Sequence, residues 1–270
     1  MVVFFALSFD DGVKSDVLLA RILEDYRLKA SFFITVGKLG FSSLWLSKDD
    51  ALWLSEVHEV ASHTLTHPCL TNVSEEALAK ELENSKVILE RVVGKNVVGF
   101  AYPYGVFDKR VRKCVRRVGY AYARSTMPFW VGSYGCRIDV YVLPVTLPLY
   151  PIKLIGSIHD VIGKLKRVFL RVLIDMGVED LKSFLQGLFR RDYIDVFQFA
   201  RDVLTVLVEL TGTTKKSYVV SFWGHSWELV LDRDTRSKFE DFLAYVSSLR
   251  RYVRVLTLRE LIEEGVVRGL

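Results

Sequence analysis

Short apolar runs alternate with amphipathic stretches along most of the chain. The strand-like apolar runs fall at 2–9, 30–36, 97–101, 120–124, 140–145, 218–223 and 253–256. The stretches with helical spacing fall at 15–27, 74–93, 109–118 and 234–250, and a last helix follows 257. Strands that alternate with helices form a parallel sheet with the helices outside it. The pattern therefore predicts an α/β fold, a distorted (β/α) barrel of about seven strands.

Polar residues and glycines mark the ends of several predicted helices. Ser74 and Asp108 precede helical runs as N-caps, and Gly94 and Gly119 follow those runs as stop signals. The Thr257-x-x-Glu260 spacing predicts a capping box at the start of the last helix.

One long stretch departs from the alternation. Residues 151–211 carry much helical and little strand pattern, so they predict a helical insertion in a single domain that covers 1–270. The first helix of this stretch sets four basic residues, Lys164, Lys166, Arg167 and Arg171, among apolar ones. Such a helix can lie on a membrane surface, but we favour one that packs on the barrel and leaves its basic face in solvent.

Composition indicates a globular protein. The chain has 270 residues, of which 50% are hydrophobic and 26% charged, enough for one sizeable core. A net charge of +5, spread along the chain, demands no anionic partner, and we expect no nucleic-acid partner. Three scattered cysteines argue against a disulfide framework. The apolar N-terminus lacks the marks of a signal peptide, so we expect a cytoplasmic protein. The oligomeric state is left open.

A doubled carboxylate follows the first predicted strand, in the stretch SFDDG. Asp10 and Asp11 repel one another and resist desolvation there, although an Asp-Gly turn in water is a plain alternative. Downstream, His63 and His67 in HTLTH are four residues apart, and a helical turn would bring both to one cation. Two histidines and a carboxylate are a frequent ligand set for a catalytic zinc, so one aspartate is a candidate third ligand.

Two further stretches follow predicted strands, where barrels of this class place their active sites. In FAYPYG, a tight turn after Pro103 would leave the Tyr104 backbone N–H free to form half of an oxyanion hole. In FWGHSWEL, His225 lies between Trp223 and Trp227. An apolar setting lowers the pKa of a histidine unless a carboxylate offsets it, which suits proton transfer near neutral pH.

These four stretches, in this order, resemble the polysaccharide deacetylase family, also known by its NodB homology domain and as carbohydrate esterase family 4. The family motifs T/S-F-D-D-G and H-S/T-x-x-H correspond to residues 8–12 and 63–67, R-x-P-Y to 101–104, and a hydrophobic stretch ending in histidine to 222–225. The resemblance covers residues 1 to about 150 and resumes at about 217. It implies removal of the N-acetyl group from an amino sugar in an oligosaccharide, a polysaccharide or a lipid-linked sugar. It also implies a divalent metal ion, zinc first, with cobalt or nickel as alternatives.

The resemblance also implies a role for each matching residue. These roles are Asp10 as general base, Asp11, His63 and His67 as metal ligands, the Tyr104 backbone N–H as oxyanion donor, and His225 as the acid that protonates the leaving amine.

Two positions depart from the family pattern. The motif arginine that orients the base aspartate is Ala101 here, and Arg124 or Arg137 is the candidate replacement. In the family, a further motif supplies an aspartate that pairs with the last histidine, and no stretch of this sequence matches that motif clearly. Asp139 is the candidate for this aspartate, and an ordinary strand-edge acid is an equal alternative. Glu228 is expected to cap a helix rather than to contact a sugar.

Two other functions stay open. The same fold could hydrolyse another amide or a cyclic imide, and the site could bind a metal or glycan without turnover. For residues outside the motifs, we expect His58 to face solvent, and Trp45, Trp53 and Trp130 to pack in the core or rim.

Overall fold

The computed structural model of the chain describes residues 1–128, 130–149 and 196–270. Its strands are β1 (Val3–Phe9), β2 (Ser31–Ile34), β3 (Glu59–Ser62), β4 (Gly99–Ala101), β5 (Tyr122–Arg124), β6 (Gly132–Ser133), β7 (Cys136–Ile138), β8 (Leu147–Pro148), β9 (Tyr218–Gly224), β10 (Val253–Val255) and β11 (Val267–Gly269). Its helices are α1 (Ser15–Asp25), α2 (Lys48–Val57), α3 (Glu75–Val93), α4 (Lys109–Val118), α5 (Val196–Thr214), α6 (Ser226–Val230), α7 (Arg233–Ser248) and α8 (Leu258–Glu263).

The main sheet is curled and almost wholly parallel, which confirms the predicted α/β barrel. Its strand order is β5-β4-β3-β2-β1-β9-β6, with β10 beside β1 and β8 beside β9. β6 is its antiparallel member. β1 pairs along its full length with β9, from Val3↔Tyr218 to Phe9↔Gly224. The segment 143–149 links the two sides of the curl, because Leu143 bridges to Arg124 and Leu147 pairs with Phe222.

Side chains of the sheet point alternately outward and inward, so the core has two layers. In β1, Phe5 and Leu7 belong to the outer cluster under the helices, whereas Phe4 and Ala6 belong to the inner cluster. Three inner positions of β3 and β4 are small, namely Ala61, Gly99 and Ala101. A Cβ at Gly99, for example, would lie 2.3 Å from the Tyr122 hydroxyl. These small residues leave room for large side chains inside the barrel.

The predicted helix ends are confirmed by their hydrogen bonds. The Ser74 hydroxyl accepts from the Ala77 N–H, and both bonds of the Thr257–Glu260 capping box are present. Gly94 and Gly119 end α3 and α4 in the left-handed conformation that glycine favours.

One predicted strand is wrong. Residues 140–145 show apolar character, but Val140–Val142 form a single 3-10 turn and Leu143 makes an isolated bridge. The Asp139 side chain accepts a hydrogen bond from the Tyr141 N–H, and this cap favours the turn over a strand.

The predicted insertion is described in part. Residues 196–211 are helical as expected, within α5, which packs against α7 through Phe197 and Phe239. The predicted basic helix, with Lys164 and Arg171, lies outside the described residues. Among the helices that the structure describes, none is both long enough and apolar enough to cross a membrane.

Candidate active site

The two aspartates of SFDDG occupy the turn at the end of β1. Asp11 and Gly12 both have positive φ, 85° and 76°. A Cβ at Gly12 would lie 2.7 Å from the Ile34 side chain, so the turn requires glycine for both conformation and space. It leaves Asp10 buried and Asp11 partly exposed at the carboxyl end of the sheet.

His63 and His67 lie on a loop after β3, and the helical turn predicted for them is wrong. Thr64 and His67 have φ values of 69° and 66°, which no α-helix contains. Glu81 of α3 holds this loop. Its carboxylate accepts from the N–H groups of Leu65 and Thr66, each at 2.9 Å, and from the Thr66 hydroxyl at 2.6 Å.

The ring nitrogens of this histidine pair converge on one point. His63 Nδ1 donates to the Ala101 carbonyl oxygen at 2.8 Å, which leaves the lone pair on Nε2. His63 Nε2 lies 3.1 Å from His67 Nε2, and these two nitrogens lie 4.0 and 3.7 Å from Asp11 Oδ1. Burial lowers the pKa of both imidazoles, for His63 to about 4.

This donor set fits a divalent metal ion. The three ligand atoms of Asp11, His63 and His67 lie within 4.8 Å of one another. Two neutral imidazoles that turn lone pairs toward a carboxylate need a cation or a proton between them. The side chains that the resemblance marks as ligands are therefore brought together by the structure.

Asp10 lies beside these three side chains, but its carboxylate is paired with the guanidinium of an arginine. Its Oδ1 accepts a hydrogen bond from the guanidinium of Arg124, which is wholly buried. Its Oδ2 lies 4.0 Å from His63 Nε2. Burial alone would raise the pKa of Asp10, but the Arg124 guanidinium beside it holds that pKa below the ordinary value. Asp10 is therefore ionised at neutral pH.

Arg124 extends through the inside of the barrel from the end of β5. Its guanidinium stacks on the rings of Phe33 and Trp223, with its central carbon 5.0 and 5.2 Å from their centroids. Of the two arginines predicted as replacements for the motif arginine, Arg124 is the one that contacts Asp10. Arg137, the other candidate, lies exposed on β7.

His225 faces the same carboxylates from the end of β9. Its Nε2 lies 3.8 Å from Asp11 Oδ2, and its Nδ1 lies 2.9 Å from Glu228 Oε2. Burial would lower the pKa of His225. The Glu228 hydrogen bond and the Asp10 and Asp11 charges outweigh burial and raise that pKa above the ordinary value. The indole of Trp227 stacks on the imidazole at 5.7 Å.

Two expectations about acids near His225 are corrected. Asp139 is not brought to His225. It forms an ion pair with Arg112 at 2.7 Å, lies 3.9 Å from Arg116, and so ties α4 to the turn after β7. Glu228 was expected to cap a helix, but its carboxylate is the partner of His225. The i,i+3 spacing on the short helix α6 brings the two together.

Tyr104 lies in the turn after β4, as predicted. It has a φ of 59°, and Gly105 follows with 67°. Its ring contacts the ring of His67 at 4.7 Å. Among the described residues, the Tyr104 backbone N–H is not seen to donate a hydrogen bond.

Outside the site, His58 is buried, so the expectation that it faces solvent is wrong. Its ring packs edge-on against Phe32 and its Nδ1 accepts from the Ala30 N–H at 3.3 Å. Trp53 and Trp130 pack against the core as expected.

A carboxylate and two imidazoles that could hold a metal ion thus lie at the mouth of the parallel barrel, beside a third histidine that is paired with Glu228. Residues 4–123 match the family model described as polysaccharide deacetylase. The match shows a polysaccharide deacetylase (carbohydrate esterase family 4) domain in this part of the chain.

Two curated relatives illustrate the match in sequence. Chitin deacetylase 1 of Cryptococcus neoformans is 29% identical over 118 residues, which are 43% of this chain and 24% of that protein. A peptidoglycan-N-acetylglucosamine deacetylase of Bacillus cereus is 30% identical over 117 residues, 43% of this chain and 53% of that protein. The chain thus spans about a quarter to about half of their lengths.

Two solved structures share the fold over nearly the whole chain. The Xyl-CE4 domain of a multidomain xylanase, from the hindgut metagenome of Trinervitermes trinervoides, has a TM-score of 0.52 at 18% identity, covering 99% of this chain and 93% of that one. A family 4 acetyl xylan esterase from Clostridium thermocellum, in complex with a cobalt ion, has a TM-score of 0.53 at 14% identity, covering 98% and 93%.

Proposed function

We propose that this protein is a metal-dependent hydrolase that removes the N-acetyl group from an N-acetylated amino sugar. The observation that carries the proposal is the placement of an ionised carboxylate, Asp10, beside an open set of two neutral imidazoles and a second carboxylate. A hydrolase that uses water as nucleophile needs both a base and a place to activate that water. The match of residues 4–123 to the polysaccharide deacetylase model supports the choice of the N-acetyl group.

Asp11, His63 and His67 would hold the metal ion. A bound divalent ion would supply Lewis acidity toward the acetamide carbonyl and the attacking water. Mixed nitrogen and oxygen ligands suit zinc first, and cobalt or nickel as alternatives. The hydrogen bond from His63 Nδ1 to the Ala101 carbonyl fixes the orientation of that ring for ligation.

Asp10 would act as the general base. Its carboxylate accepts from Arg124 through Oδ1, and its other oxygen faces the histidine pair. Arg124 therefore orients the base while leaving one oxygen to take a proton. The same ion pair keeps Asp10 ionised despite its burial.

Two groups on the other strand ends would complete the reaction. An amine leaves only when it receives a proton as the C–N bond breaks, and His225, with its raised pKa, is the proton donor. The Tyr104 backbone N–H would donate a hydrogen bond to the oxyanion that develops on the carbonyl. The proposal gives Asp139 no role in the reaction, because its carboxylate pairs with Arg112 and Arg116.

Acetate release is the direct test. Wild-type protein is incubated with N-acetylglucosamine oligomers after chelation and again after Zn²⁺, Co²⁺ or Ni²⁺ is added. Asp10→Asn is run beside Asp49→Asn, a matched change at an exposed acid of α2. We expect metal-dependent acetate release that Asp10→Asn abolishes and Asp49→Asn preserves.

Other results would replace the proposal. Turnover of cyclic imides alone, in a parallel substrate panel, would indicate the other amide chemistry. Metal binding without turnover of any substrate would indicate a binding protein.

A further inference from the structure

Large apolar side chains stand exposed around the mouth of the barrel. We define the mouth rim as Phe41, Leu44, Tyr104, Val106 and Trp227, which lie on loops and a short helix after β2, β4 and β9. Phe41, Leu44 and Tyr104 are 80%, 71% and 65% exposed. Exposed apolar side chains that gather around one site mark an interaction surface.

The loop that carries Phe41 and Leu44 is fixed to the turns that carry the candidate metal ligands. The Lys14 N–H donates to the Leu44 carbonyl at 2.8 Å, and the Leu46 N–H donates to the Gly12 carbonyl at 3.1 Å. At the other end of the loop, the Gly37 N–H donates to the Leu65 carbonyl at 2.8 Å. Phe41 and Leu44 therefore project beside the site rather than from a distant surface.

The aromatic members of the rim touch the site itself. The Tyr104 ring contacts His67, and the Trp227 ring stacks on His225. The rim thus spans from a candidate metal ligand to the candidate proton donor. Any molecule that covers the rim also covers the entrance to the site.

We propose that the mouth rim docks on an anionic lipid bilayer, and that the substrate sugar is carried by a lipid in that bilayer. The second half rests on the deacetylase function proposed above. The docking of the rim on a bilayer concerns binding alone. It is argued from the described loops and not from the basic helix predicted at 162–171.

The chemistry of the rim favours lipid over a free glycan. Pyranose rings stack on flat aromatic faces, whereas the branched aliphatic side chains of Leu44 and Val106 suit acyl chains. Lys48 is followed directly by the acidic residues Asp49 and Asp50, and Asp50 pairs with Lys14. Lys38 forms no ion pair with a carboxylate among the described residues, so its charge complements an anionic headgroup. The Lys38 ammonium lies 4.1 Å from the Trp45 ring centroid, and both residue types anchor proteins at the headgroup level.

Vesicle flotation tests the docking surface without reference to activity. The full chain is mixed with vesicles of phosphatidylcholine, or of phosphatidylcholine with phosphatidylglycerol. The rim variant Phe41→Ser/Leu44→Ser is compared with Val87→Ser/Ile88→Ser, a matched change at exposed positions of α3. Thermal melting of each variant establishes that it is folded.

We expect the wild-type chain to float with the phosphatidylglycerol vesicles, and the rim variant to lose vesicle affinity about tenfold. The α3 variant should bind as the wild type does. Absence of wild-type flotation, or equal losses in both variants, would overturn the docking surface. The docking surface would also be overturned if the rim variant bound vesicles as the wild type does but differed from it in oligomeric mass in solution. That outcome would indicate that the rim contacts a second copy of the chain.

Acetate release by the wild-type chain then tests the substrate. N-acetylglucosamine linked to a lipid in the same vesicles is compared with free N-acetylglucosamine oligomers. Faster release from the lipid-linked sugar is expected, and release from the free oligomers alone would overturn the lipid-linked substrate. Release from neither would refute the proposed function, while the flotation result would stand independently.

Discussion

Ala101 and Arg124 are register partners on the adjacent strands β4 and β5, and both contribute to the inside of the barrel. The cation that the family motif places at 101 therefore comes from the neighbouring strand. Because alanine at 101 is small, the Arg124 side chain can cross the barrel and reach Asp10. Asp10 therefore has an arginine partner, although that arginine comes from β5 and not from position 101 on β4.

Replacing Arg124 with alanine should disable Asp10. A buried carboxylate left without its partner costs about 3–5 kcal/mol of stability. The base would also lose its orientation, so we expect kcat to fall by at least about a hundredfold. Thermal melting and acetate release measure the two effects.

A control variant and a rescue variant test whether the effect of Arg124→Ala comes from the loss of the guanidinium beside Asp10. Arg137→Ala, on exposed β7, is the control and should change neither quantity. Ala101→Arg in the Arg124→Ala background should restore part of the activity, because its guanidinium would start from the adjacent position. Full activity of Arg124→Ala alone would refute the role given to this ion pair.

Glu228 should matter for amides and not for activated esters. An amine leaving group needs the proton that His225 delivers, whereas a nitrophenolate leaves without one. Glu228→Gln is therefore expected to reduce deacetylation of an N-acetyl sugar by roughly ten- to a hundredfold and to leave 4-nitrophenyl acetate hydrolysis nearly unchanged. Glu76→Gln, at an exposed site of α3, is the control. Parallel losses on both substrates would indicate a merely structural role.

Glu81 should support metal binding although it is not one of the three proposed ligands. Its carboxylate accepts from two N–H groups of the loop between His63 and His67. Glu81→Ala leaves this loop loose, and we expect metal affinity to fall by about ten- to a hundredfold in calorimetric titration. Glu83→Ala, an exposed neighbour on the same helix, should bind as the wild type does. Equal affinities in the two variants would contradict this account.

His58 should make the folded state sensitive to acid. Burial lowers its pKa to about 4, whereas an unfolded chain has the ordinary value of about 6.5. Between these values the unfolded state binds more protons, so stability falls as pH drops from about 6.5 to about 4. The full effect is about 3 kcal/mol.

A substitution isolates this contribution. His58→Asn keeps an acceptor for the Ala30 N–H and removes the titration. The free energy of unfolding, measured by denaturant at several pH values, should therefore depend less on pH in the variant. Identical slopes for the two proteins would show that the imidazole does not titrate in this range.

The sequence pattern predicts most of the frame, because its signals are local. Apolar runs locate β1, β2 and β9, and short polar or glycine caps such as Ser74 and Gly94 locate helix ends. The Asp10–Asp11 and His63–His67 spacings also place four side chains at strand ends that meet in space. Local spacing alone does not distinguish a helical turn from the loop at 63–67, since positive φ at Thr64 and His67 depends on the contacts of that loop.

The partners of the site residues depend on distant contacts. Arg124 is 114 residues from Asp10, and the register of β4 with β5 decides that it, and not Arg137, reaches the base. Asp139 pairs with Arg112 on the basic face of α4. The sequence separation of these two residues does not indicate that they are in contact. Glu228 could have been found from its i,i+3 spacing to His225, which is a local signal.

The central claim is that a metal ion at Asp11, His63 and His67 works together with Asp10. The most direct measurement titrates zinc into chelated protein while metal binding and acetate release from N-acetylglucosamine oligomers are followed in one sample. We predict that acetate release rises in proportion to one bound ion per chain, and that Asp10→Asn binds the ion without releasing acetate. Acetate release that persists in the chelated protein, or that Asp10→Asn retains, would contradict the claim.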